Sequence, residues 1–300
     1  MSRQVRKDSS FERHPGLVLP MKKIETVAEM RALAGAWRAK GRTIGLVPTM
    51  GALHAGQEAL VRAAVARTDV VVVSIFVNPL QFSPNEVLAA YPRSLEEDLK
   101  LCESAGAQFV FTPAAEEIYP RGYSTYVMEE HIAKPLDGVS RPTHFRGVAT
   151  VMAKLFNIVH PTHAFFGQKT AQRAGVVRKM AADLGFPVEI VVVPTARDAD
   201  GLAAGVRNRE FTTTQRQEAL SLSKALKKAK EMSDSGVRSP DRIIAEVTHI
   251  LGNHRRVRII YVSIVDDVTM EQAREVTPGK SLLTIAVWVD EIRMVDNTPL

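Results

Sequence analysis

Between Ile24 and Lys40 the apolar residues Val27, Met30, Leu33, Ala34 and Trp37 recur at helical spacing, which predicts an amphipathic helix. The pattern then changes period. Thr43–Val47 is a short apolar run ending at Pro48, and Asp69–Val77 is rich in β-branched residues, so both predict buried strands of a parallel sheet. Helical spacing returns over Gln57–Ala66, Leu95–Ala105, Val148–Ile158 and Ala171–Leu184. Strands are predicted at Gln108–Phe111, Ala164–Phe166 and Val188–Val193, the last stopped by Pro194. Such alternation builds βαβ units and predicts an α/β fold, a doubly wound parallel sheet.

Beyond about Arg197 the texture differs. Helices are predicted at Thr213–Ser233 and Asp241–Leu251, separated by the turn Gly236–Pro240, and strands at Val257–Val265, Ser281–Val289 and Ile292–Val295. This reads as a smaller α+β C-terminal domain. The expected division is a flexible extension at residues 1–20, a first domain at 21–195 and a second at 196–300. The extension is expected because Met1–Pro20 mixes Arg, Lys, Ser and His without periodic apolar residues or a signal-peptide core.

The chain has 300 residues, enough for two domains. Its net charge of +6 is interspersed, so the partners expected are anionic small molecules rather than nucleic acid. No apolar stretch reaches the roughly 18 residues of a membrane span. A lone cysteine, Cys102, cannot form an internal disulfide and suits a reducing, cytoplasmic compartment.

Ligands of doubly wound sheets sit beyond the carboxyl ends of the strands, and five segments there carry candidate chemistry. Val47–Gln57 joins a strand to a helix through a glycine turn. It contains Pro48, Met50, His54, Gly56 and Gln57, and a helix N-terminus there offers N–H groups to phosphate. Phe76–Phe82 supplies Asn78 and Gln81, uncharged donor–acceptor groups for hydroxyls or a carboxylate. Arg141–Gly147 places two arginines and His144 before a helix. Phe166–Lys169 puts a point charge, Lys169, beside Gly167. Pro194–Arg209 is an arginine-bearing loop able to close over a triphosphate. Read singly, each segment is equally a structural turn, a solvated loop or a domain linker.

Read together and in this order, with Tyr91–Ser94, Ile264–Asp266 and Val295–Asn297, they resemble the pantothenate synthetase (pantoate–β-alanine ligase) family from Met21 nearly to the end. The resemblance implies a Rossmann-like ATP- and acid-binding domain with a C-terminal lid, arranged as a homodimer. It implies ATP and Mg2+, small-molecule acid and amine substrates, and no protein metal ligand. The chemistry implied is an acyl-adenylate: pantoate attacks the α-phosphorus and releases pyrophosphate, then the amine of β-alanine displaces AMP. His54, Lys169 and Arg207 are matched to phosphate-contacting catalytic positions. Pro48, Met50, Gly56, Gln57, Gly167, Thr170, Gly205 and Val206 fall on the ATP side, and Met50, Asn78, Gln81, His144 and Arg173 on the acid side.

The same resemblance marks departures. It leads one to expect His at Gln57, Asp at Thr170, Gln at Arg173 and Met-Ser-Ser at Ala204–Val206. Lost charge and lost hydroxyls predict weaker ATP binding and a lower rate, or a nucleotide- or metabolite-binding relative without turnover. Arg173 instead adds a planar donor suited to a carboxylate or phosphate. It could also swing to solvent, or pair with a local acid and block the pocket.

Overall fold

The computed structural model describes residues 21–82 and 88–300. The expected flexible extension, residues 1–20, lies outside the described residues.

The first part of the chain runs β1 (Lys22–Ile24), α1 (Val27–Ala39), β2 (Ile44–Thr49), α2 (Ala55–Arg67), β3 (Val70–Ile75), α3 (Leu95–Ser104), β4 (Phe109–Phe111), α4 (Ala115–Ile118), α5 (Asp137–Ser140), α6 (His144–Val159), β5 (His163–Gly167), α7 (Ala171–Asp183) and β6 (Glu189–Val193). Its six strands form one sheet in the order β1-β4-β3-β2-β5-β6, paired in parallel throughout. Helices cover both faces. On one, Met30, Ala34, Trp37, Met152, Leu155 and Met180 pack against the strands; on the other, Leu60, Val61, Ala64 and Cys102 do so. Burial on both sides explains why β3 reads as an unbroken valine run. The strand order reverses between β2 and β5, and that switch point is where ligands of such sheets bind.

The second part carries α8 (Thr213–Asp234), α9 (Pro240–Gly252), β7 (Val257–Asp266), β8 (Ser281–Val289) and β9 (Ile292–Pro299). Its three strands form an antiparallel sheet with a core of its own: Leu222 and Leu226 of α8 and Ile243, Val247 and Leu251 of α9 meet Ile285 and Val287 of β8. The Rossmann-like sheet with a smaller α+β domain is the architecture the periodicity predicts.

Three local differences have physical reasons. Ile24 belongs to β1, not to a helix, because Thr26 caps α1 through its side chain and fixes the helix start after it. β2 continues through Pro48 to Thr49. β5 pairs with β2 only at Gly45 and Leu46, so beyond them one flank of β2 has no ladder and the missing proline N–H breaks nothing there. Lys169 lies in a 3-10 turn, Gln168–Thr170, before α7. It therefore does not share a helix face with Arg173, as their four-residue spacing suggests.

The two parts are clasped by polar contacts. Arg197, in the segment linking them, forms an ion pair with buried Asp296 at 2.7 Å. Asn297 Nδ2 donates to the carbonyls of Gln168 and Lys169 at 2.8 and 3.1 Å, and Arg293 reaches Asp137 at 2.8 Å.

Candidate active site

A cavity of about 500 Å3 opens at the carboxyl ends of β2 and β5. Its walls include the N-terminal ends of α2, α6 and α7, through His54, His144 and Arg173 respectively. Helix N-termini present unsatisfied N–H groups and the positive end of the dipole, so this placement favours an anionic ligand.

The α2 end is held by its own sequence. His54 is the N-cap: its Nδ1 accepts from the Gly56 N–H at 3.1 Å, and the Gln57 side-chain oxygen accepts from the His54 N–H at 3.1 Å. Burial, with Lys169 nearby, lowers His54 from 6.5 to about 4, so the ring is neutral near pH 7. With Nδ1 accepting, the remaining proton sits on Nε2 as a donor. The preceding turn is strained. Gly51 and Ala52 both have positive φ, 84° and 51°, and a side chain at Ala52 makes that conformation costly. Asp98 of α3 holds it by accepting from the N–H groups of Ala52 and Leu53 at 2.9 and 2.7 Å.

Lys169, whose charge acts on His54, is already engaged. Its Nζ donates to the carbonyls of Ala203 and Ala204 at 3.2 and 2.9 Å, and burial lowers its pKa. Gly205 permits this, because a Cβ there would lie 2.6 Å from Nζ. Thr170 does not cap α7; its hydroxyl donates weakly to the Gly167 carbonyl at 3.4 Å. Arg207 is exposed and pairs with Glu210 at 3.3 Å.

The acid-side residues divide differently. Asn78 does not line the cavity. Its Oδ1 accepts from the Leu80 N–H and the Tyr119 hydroxyl, and its Nδ2 donates to Gln81 Oε1 and the Gly147 carbonyl. It positions Gln81, whose Nε2 remains as the donor. Gly147 lets α6 sit against that turn, since a Cβ would come within 2.3 Å of the Leu80 carbonyl oxygen. His144 is buried and donates through Nδ1 to the Gln81 carbonyl at 3.0 Å. Burial, aided by Arg141 and Arg173, lowers it from 6.5 to about 3. Arg173 lines the cavity, and its Nε is buried without a hydrogen-bond partner.

Pro48, Met50, His54, Gly56, Gln57, Gln81, His144, Gly167, Lys169, Thr170, Arg173, Gly205, Val206 and Arg207 thus share one cavity, and Asn78 stands behind it. Sequence reasoning missed Asp98, whose bonds span 45 and 46 residues. It also missed Trp288, Glu291 and Arg293, which the second sheet brings to the cavity wall. Tyr91, quoted in the motifs without a role, lines it too, as does Arg141, read as part of a positive rim for an anion.

A doubly wound sheet with a cationic cavity at its switch point defines a Rossmann-like protein built to hold an anionic small molecule. The chain belongs to the pantoate-beta-alanine ligase family, whose sequence model matches residues 22–299. It is similar to the pantothenate synthetase of Moorella thermoacetica, with 48% identity over 280 residues, 93% of this chain and 99% of that one. The pantothenate synthetase of Thermotoga neapolitana is 48% identical over 280 residues, 93% and 100% of the two chains. Among solved structures, the Thermus thermophilus pantothenate synthetase superposes with a TM-score of 0.87 at 40% identity, covering 93% of this chain and 99% of the other. A pantoate-beta-alanine ligase from Francisella tularensis, complexed with beta-gamma ATP and beta-alanine, gives 0.76 at 28% identity, covering 93% and 97%.

Proposed function

We propose that the chain is an ATP-dependent ligase joining a small acid to an amine through an acyl-adenylate, with pantoate and β-alanine as the default pair. The observation that carries this reading is the meeting of His54, Lys169 and the α2 N-terminus at one end of the cavity with Gln81 at the other. That arrangement suits a triphosphate beside a carboxylic acid. His54 donates from Nε2 to a phosphate oxygen. Lys169 reaches phosphate by exchanging its carbonyl partners for the stronger charge-assisted bond. Gln81 Nε2 orients the acid so that its carboxylate meets the α-phosphorus. Pyrophosphate leaves, and the amine then attacks the acyl carbon and displaces AMP.

Among the described residues no group of three His, Cys, Asp or Glu side chains is placed to hold a metal. Mg2+ in this reading is carried by the phosphates and retained waters. A homodimer belongs to the same family reading, while a cytoplasmic setting rests on the lone Cys102 and a domain boundary near residue 195 on the change of texture after Pro194. Gln57 is committed through its oxygen to the capping box, and Gly205 and Val206 offer no hydroxyl, so the rate is expected to be reduced.

Pyrophosphate release with ATP, Mg2+, β-alanine and a panel of acids tests the reading. Acid-dependent release with amide formation supports it. ATP binding without release for any acid would overturn it in favour of a binding protein without turnover.

A further inference from the structure

Arg173 is the third residue of α7, whose first turn contains no acidic residue. A permanent cation thus sits at the positive end of a helix dipole, where an anion belongs. Its Nε is sealed from solvent and unpartnered, and no ion pair among the described residues includes it. The carboxylate whose field acts on it, Asp137, is already held by Arg293 at 2.8 Å and the Tyr261 hydroxyl at 2.7 Å. Burial works against the guanidinium charge and Arg141 adds to that, with Tyr91 and Asp137 opposing. An arginine cannot escape by losing its proton. His144, which faces the same field, has done so. The side chain lines the cavity, and among the described residues no acid forms an ion pair with it. What remains is a guanidinium lining the same cavity as Gln81 and His144.

We propose that the acid accepted here carries a second anionic group, a carboxylate or a phosphate, besides the carboxylate that is activated, and that Arg173 binds it. This deepens the ligase reading and rests on it for the identity of the cavity's acid end. The activated carboxylate lies toward Gln81 and the triphosphate. The second anion lies against Arg173 and the α7 N-terminus, where bidentate contact and the dipole act together.

Equilibrium binding separates this from the ligase reading, because it needs no turnover. Calorimetric titrations of the full chain would use pantoate as the monocarboxylate reference, malate and succinate as dicarboxylates, 3-phosphoglycerate as a phosphorylated hydroxy acid, and ATP. The wild type is expected to bind at least one dianionic acid about tenfold or more tighter than pantoate. Arg173→Gln should abolish that preference, and Arg173→Lys should keep part of it. Which dianion wins distinguishes carboxylate from phosphate. A wild type that binds pantoate as well as every dianion overturns the proposal, and this arm stands even if Arg173→Gln fails to fold. A loss of ATP affinity in Arg173→Gln without any dianion preference also overturns it, since the guanidinium would then serve the triphosphate. Dianion preference without pyrophosphate release leaves the acid site standing and removes only the ligase reading. Turnover of pantoate without dianion preference does the reverse.

Discussion

At the α2 end of the cavity every basic group has a protein partner. His54 uses its lone pair on the Gly56 N–H and is neutral, and Lys169 rests on two carbonyls. At the α7 end, Arg173 keeps both its charge and an unpartnered nitrogen. The difference follows from side-chain chemistry. Imidazole and ammonium can yield or redirect a proton when water is withdrawn, whereas a guanidinium does neither. One end is therefore settled before ligand arrives, and the other is left to the ligand. That contrast is why Arg173 bears more directly on the proposed acid than Gln57, Thr170 or Gly205 do.

The largest effect that could break the contrast lies under the settled end. Asp98→Ala leaves the N–H groups of Ala52 and Leu53 without their acceptor. Each orphaned buried donor costs about 1–3 kcal/mol, so the urea midpoint should fall substantially and ATP binding should weaken with it. A midpoint unchanged by the mutation would mean the turn before α2 is self-supporting. Next, Arg173→Gln removes an uncompensated charge from the unsettled end and should raise stability by about 2 kcal/mol in the absence of ligand. A fall in melting temperature would show that the guanidinium is already paired.

A smaller, pH-dependent effect sharpens the comparison. Above pH 6.5 both histidines are neutral in the native and unfolded chains and contribute no slope. As pH falls, the unfolded chain takes up protons near 6.5 while the native rings resist to about 4 for His54 and about 3 for His144. The unfolded state binds more protons in that window, so stability falls from pH 6.5 down to about 4 and about 3 and then stops falling on their account. Denaturation midpoints against pH should show this loss, and His144→Gln should flatten its acid part. The smallest effect concerns Gly205→Ser. The added Cβ would displace the Lys169 amine from its carbonyls. Because the displaced atom ends a flexible chain, the fold should survive and ATP affinity should rise about fivefold by calorimetry. Combining it with Gln57→His, Thr170→Asp and Val206→Ser should tighten ATP further. No gain from the combination would refute the nucleotide-side roles.

The parallel sheet and its helices were legible because periodicity reports burial: the β3 valines and the α1 spacing each admit one arrangement. Cavity positions at strand ends were legible through segment order, which carried the family resemblance. Asn78 was read as facing substrate because an amide in a motif looks the same whether it meets substrate or braces a neighbour; its four bonds put it behind the cavity, bracing the Gln81 turn. Asp98 and Arg293 could not be found from spacing, since their partners are distant in sequence. Arg173 was visible as a charge, but its isolation is a property of packing.

The clasp between the two sheets has a consequence for how the protein acquires activity during refolding. Gln168–Asn297 and Asp137–Arg293 join residues separated by 129 and 156 positions, while most contacts inside each sheet and its helices are shorter in sequence. Loop closure over such separations is slow relative to local assembly. Each sheet should gain its helices first, and the turn bearing Lys169 should take its final position only when β9 docks. Recovery of ellipticity should therefore precede recovery of nucleotide affinity, with an interval in which the chain is folded in its parts but has no finished cavity.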